Sequence, residues 1–178
     1  MKIKRYPILA LTSLFIFSSC TEEKEEAKNL PTEKSPDLTS LVLEAEPEAA
    51  RSISLLRSSA KPGDQVTFSG DILGSADVFM DGRAVMIMGD PAKLTACNLI
   101  PGDECETPWD VCCDDPEVVT ASIVTVQALD GSGTPVKEGF KGLAGIAELS
   151  TLVVTGEVAE GSSEKNMLVN ASGIFVKN

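Results

Sequence analysis

The chain is 178 residues long, with 15 Lys+Arg against 27 Asp+Glu, a formal net charge of −12 and no histidine. That acidic balance disfavours nucleic acid, whose nonspecific binders present basic patches that release counterions from the phosphate backbone. The missing imidazole excludes Ser-His and Cys-His catalysis and any His-bound metal.

The first 19 residues are graded. Lys2, Lys4 and Arg5 make a basic start, an apolar run extends from Ile8 to Phe17, and Ser18-Ser19 precede Cys20. This is the layout of an export signal, and its apolar run is shorter than the roughly 20 residues a permanent membrane span needs. Phe17-Ser18-Ser19-Cys20 resembles the lipobox of bacterial lipoproteins, with Phe17 where Leu is usual. The resemblance implies cleavage before Cys20, a diacylglycerol on its sulfur, and a mature chain whose first partner is the membrane. It places the protein in the bacterial cell envelope, anchored at the outer membrane and facing either the periplasm or the surface. Residues 20–62 read as an acidic, flexible tether, polar and interrupted by Pro31, Pro36 and Pro47. The run Glu22-Glu23-Lys24-Glu25-Glu26 resembles signals that route some lipoproteins to the cell surface. Near its end, residues 48–58 carry Ala49, Ala50, Ile53, Leu55 and Leu56, which suit either a short helix packed on the following domain or more tether.

Residues 63–178 are enough for one domain with one core. Five β segments are predicted: Gln65 to Leu73, Arg83 to Met88, Val118 to Leu129, Thr151 to Val158 and Met167 to Val176. In the first, Val66, Phe68, Gly70 and Ile72 share one face, the period of two expected of a half-buried strand. Asp81-Gly82 and Asp130-Gly131 are turn signals, and the first is placed to join a short strand at Asp77 to Met80 with the second segment. Between the third and fourth segments, Phe140, Leu143, Ile146 and Leu149 recur every three residues and predict a short helix. The fold class is therefore mainly β. The order β-β-β-α-β-β resembles the OB fold, a small five-stranded Greek-key barrel, and Val153-Val154-Thr155-Gly156-Glu157-Val158 is similar to the Val-x-Gly-x-Val strands of such barrels.

An insertion between the second and third segments carries Cys97, Cys105, Cys112 and Cys113, the chain's one Trp at position 109, and no base between Cys97 and Glu117. Thr107-Pro108-Trp109-Asp110-Val111-Cys112-Cys113, preceded by Asp81 to Ala84, resembles a Thr-Pro-Trp-Asp-x-Cys-Cys loop found in exported bacterial proteins, and the resemblance implies no activity. With Cys20 set aside, the remaining four cysteines form an even set, and in an oxidising compartment disulfides are the first expectation. Adjacent Cα atoms lie about 3.8 Å apart, below the usual disulfide range of about 4.4 to 6.8 Å. Cys112 and Cys113 are thus expected to pair with Cys97 and Cys105, in one of two ways. The alternative is that the four thiolates hold a soft metal ion such as zinc or copper, with Met80, Met86 and Met88 as further thioether donors for copper. A third reading, a labile Cys112–Cys113 pair, lacks the positive charge that a reactive thiolate requires.

No Gly-x-Ser-x-Gly elbow, phosphate loop or dinucleotide fingerprint is present, and Ser132 sits in a turn, so no catalytic residue and no organic cofactor are assigned. What remains is a domain for a protein, peptide or saccharide ligand, or a metal-binding lipoprotein using the four thiols.

Overall fold

A computed structural model describes residues 37–177. The signal, the lipobox with Cys20 and the acidic run after it lie outside the described residues.

The strands are β1 (Arg51–Ser52), β2 (Gln65–Asp71), β3 (Val85–Gly89), β4 (Ile123–Gln127), β5 (Thr151–Val158) and β6 (Leu168–Val176); the α-helices are α1 (Ile53–Ser59) and α2 (Pro116–Ser122). The sheet order β2-β3-β4-β6-β5 closes on itself through β2–β5, and β1 adds to β2 outside the ring. This is the small five-stranded OB-like barrel that the order of the β segments resembles. β2 and β5 pair antiparallel from Gln65↔Glu157 to Asp71↔Thr151, β4 and β6 run parallel, and β2 touches β3 only at Asp71↔Gly89.

The alternation in β2 works as expected: Phe68 and Gly70 face the core, joined by Ile72 just beyond the strand. Gly70 has no substitute here, because a Cβ would lie 2.3 Å from Ile53 Cδ1 and 2.7 Å from the Gly89 carbonyl oxygen. Close approach of α1 to the barrel depends on that bare backbone. Met86 and Met88 point inward from β3 and are completely buried beside Val124 and Val126 of β4. The hairpin at Asp81-Gly82 forms, and the short strand before it is a single bridge, Phe79↔Met86. The helix expected between the third and fourth barrel strands is a single 3-10 turn, Leu143–Gly145. Positive φ at Gly142, Ala144 and Gly145 stops it from continuing, although Phe140 and Ile146 are buried as the pattern required.

Two further sequence expectations need correction. The third β segment begins at Ile123, not Val118, because α2 occupies its first five residues. Asp115 caps that helix, its Oδ1 accepting the N–H groups of Glu117 and Val118, and Pro116 fills the first helical position, where a missing N–H costs nothing. The second concerns the tether: much of the chain from 38 to 60 is packed on the barrel, and of the two readings left open for residues 48–58 it is the short helix that forms, as α1. Leu38, Ile53 and Leu56 belong to the main core. β1 runs parallel to β2, Val42 bridges Ile174, and Ser52 caps α1, its hydroxyl accepting the Leu55 N–H. The apolar residues of this segment are too scattered, among charges and around Pro47, to display a period, yet they cover the barrel where β1 and α1 meet β2.

Candidate functional site

The cysteine insertion hangs from a narrow neck. Asp90, directly after β3, and Ser122, directly before β4, are the two buried polar residues among those described, 2% and 3% exposed. The Asp90 N–H donates to the Ser122 carbonyl at 2.9 Å and closes the neck. The Asp90 carboxylate accepts the N–H of Ser54 in α1 through Oδ2 and that of Ala92 through Oδ1, each at 3.0 Å. Burial raises the carboxyl pKa, but these hydrogen bonds outweigh it and hold the group below the ordinary aspartate range. Helix, barrel and insertion therefore meet on one ionised side chain.

Inside the insertion the two halves of the loop run against each other. Cys97 N–H donates to the Asp110 carbonyl at 2.8 Å, Asn98 N–H to that of Pro108 at 3.0 Å, and Thr95 N–H to Asp114 Oδ2 at 2.7 Å. Leu94, Ala96 and Val111 join Leu73 in a second small core, and Trp109 packs against both this core and the main one. The indole N–H donates to the Ala76 carbonyl at 2.8 Å, tying the insertion to the β2–β3 loop.

This pairing brings Cys97, Cys105 and Cys112 together, with their sulfurs all within 4.8 Å of one another. Cys97 is buried, Cys105 intermediate and Cys112 exposed, and all four thiols of the insertion are free. The Cys97 and Cys112 sulfurs stand 3.7 Å apart, and Cys105 Sγ is 3.4 Å from the Thr107 hydroxyl. Burial pushes the Cys97 thiol well above the ordinary range, helped by its hydrogen bond with Cys112. The Thr107 side chain and backbone lower that of Cys105. For Cys112 the bond with Cys97 pulls downward, but Cys113, burial and neighbouring negative charge together leave it raised. Cys113 is exposed beside Cys112 and outside the group of three. Three close cysteines are a set that could hold a metal ion. The methionines named as extra donors are placed otherwise: Met86 and Met88 lie in the barrel core, and Met80 is 52% exposed on a separate loop.

A second feature has no sequence signature. A groove of about 610 Å³ crosses the outer face of β3 and β4. Ile87 and Thr125 form its floor, Asp77, Phe79 and Met80 of the β2–β3 loop one wall, and Asn166 of the β5–β6 loop another. Asp77 and Asp81 are exposed on its rim, no Lys or Arg is among the described lining residues, and a cation close by, Lys141, is paired with Glu148 and stands 5.9 Å from the Phe79 ring centre. The groove is assembled from four separated segments, so no local motif marks it.

No protein family, curated protein or solved structure matches the chain.

Proposed function

We propose that the chain is a bacterial envelope lipoprotein, cleaved before Cys20, held at the outer membrane by a lipid on that cysteine, and presenting its OB-like barrel as a binding module. The groove across β3 and β4 carries this reading. In OB barrels the face of the second and third strands, flanked by the first and last hairpin loops, is where oligosaccharides and oligonucleotides bind, and here the groove occupies that face. Its acidic rim repels a phosphate backbone, leaving a saccharide or an uncharged or basic peptide segment as the suited ligand. Phe79 offers an apolar surface for a sugar ring or side chain, while Thr125 and Asn166 supply polar contacts.

Two experiments test the two halves. A fatty-acid analogue fed to the cells should label the wild-type protein and leave the Cys20→Ser variant at background; equal labelling of both would contradict the anchor. For the barrel, an array of oligosaccharides and peptides screened by NMR should perturb Ile87, Thr125 and Asn166. Thr125→Trp, which fills the groove floor, should weaken any such ligand by about tenfold or more, or about 1.4 kcal/mol. A ligand mapping elsewhere and indifferent to that substitution would contradict the groove.

The convergence of Cys97, Cys105 and Cys112 favours a second reading, a lipoprotein that handles a soft metal ion through these thiols and the neighbouring Cys113. Thiolate donors select cuprous copper and zinc over harder cations.

A further inference from the structure

We propose that Cys97, Cys105 and Cys112 form a three-coordinate site for one cuprous ion, with Cys113 outside the ligand set. This rests on the second reading above and goes further by fixing the ligand number and the ion. With metal–sulfur bonds near 2.3 Å, three thiolates arranged 120° apart stand about 4.0 Å from one another. The sulfurs here lie within 4.8 Å of each other, with one pair at 3.7 Å. Closing on an ion therefore requires movements of less than about 1 Å, a modest shift for side chains on a loop.

Ligand number favours copper over a structural zinc. Structural zinc takes four protein donors in a tetrahedron, and a fourth is hard to find at this place. The chain has no histidine. Met86 and Met88 are locked in the barrel core. Asp103 accepts the Cys105 N–H through Oδ1 at 2.7 Å, and Cys113 stands against Cys112, but neither the Asp103 carboxylate nor the Cys113 sulfur joins the set in which all ligand atoms lie within 4.8 Å of one another. Three soft donors and no fourth suit cuprous copper, which is content with fewer ligands.

Placement adds to the case. Cys97 is 1% exposed and its backbone N–H is bonded to the Asp110 carbonyl, so one sulfur is held in place, while Cys112 is exposed and lets the ion arrive and leave. The surrounding carboxylates raise the local concentration of any cation. Binding is a coordination step with no electron transfer: Cu⁺ and three thiols give a tris-thiolate complex of charge −2 and three protons released to solvent. Copper enters already reduced and leaves unchanged.

The full-length protein in detergent, fully reduced and anaerobic, is titrated with Cu(I) against a chromophoric Cu(I) chelator, and separately with Zn(II). The expected result is one Cu(I) per chain, with Cys113→Ser within about threefold of wild type. Cys105→Ser and Cys112→Ser should each lose about 100-fold or more, at least the scale on which residues merely behind a metal's ligands act. Both positions are at least partly exposed, so these variants keep their fold. Tight stoichiometric zinc that depends on Cys113 would overturn the three-coordinate copper site while leaving the metal reading intact. Equal losses from Cys113→Ser and Cys105→Ser would do the same. Failure of the reduced protein to bind either ion would overturn both.

Discussion

A chain shortened to begin at Gly63 should fail to fold, whereas one beginning at Glu33 should unfold cooperatively. The shortened version removes Leu38, Ile53 and Leu56, which are at most 3% exposed in the main core. Burial of such a side chain contributes about 1.5 to 3 kcal/mol, so the three together approach the roughly 5 to 15 kcal/mol that keeps a domain folded. More is lost with them. β1 leaves β2 with an unpaired edge at Phe68 and Ser69, the Asp90 carboxylate loses the Ser54 N–H, and the Ile123 carbonyl loses its 3.0 Å bond from Arg57 Nη1. In the longer chain, Leu56→Ala alone should cost about 2 to 5 kcal/mol. Thermal unfolding followed by circular dichroism distinguishes the outcomes, and a sharp transition in the chain from Gly63 would show that the preceding segment is dispensable.

That segment marks where the sequence stops being legible. A strand such as β2 shows its buried face through its own alternation, because Phe68, Gly70 and Ile72 repeat at the period of the structure they form. Residues 38–60 contribute Leu38 from a 3-10 turn at Leu38–Leu41 and Ile53 and Leu56 from the two-turn helix α1, neither element long enough to establish a period. α2 was legible in principle: Asp115-Pro116-Glu117 is a helix start, but the β-branched Val118-Val119-Thr120 outweighed it. The cysteines could be counted but not sorted. Which sulfurs meet depends on Cys97 lying opposite Asp110 across the insertion, a register that residue spacing does not reveal. The groove was invisible for the same reason, since Thr125 and Asn166 are 41 residues apart and meet only through the barrel.

Asp90→Ala should be the most damaging single substitution of a polar residue. It strands two N–H groups at the neck, and hydrogen bonds to a charged group contribute about 1.5 to 3 kcal/mol each, giving an expected loss of about 3 to 6 kcal/mol. The damage should reach the sulfurs, because the same residue anchors the insertion: Cys97 should be alkylated faster in the variant under native conditions. The carboxylate also sets a pH dependence. Its folded pKa lies below its unfolded value of about 3.9, so its stabilisation is complete above that value and is lost as pH falls through the folded one. Wild-type stability should therefore decline below about pH 4 more steeply than that of Asp90→Asn, which keeps one acceptor and has no charge to titrate. Equal acid profiles for the two, measured by urea unfolding between pH 2 and pH 6, would show that Asp90 carries no such role.

The state of the four insertion cysteines in the protein as isolated tests most directly whether the loop is built around converging thiols. The full-length protein is purified without reductant, denatured in the presence of an alkylating reagent and mapped by mass spectrometry, with metal content measured on the same sample. Free Cys97, Cys105, Cys112 and Cys113 together with about one equivalent of a soft metal ion are expected. Two disulfides joining Cys112 and Cys113 to Cys97 and Cys105, with no metal, would contradict it and return the insertion to a covalently stapled loop.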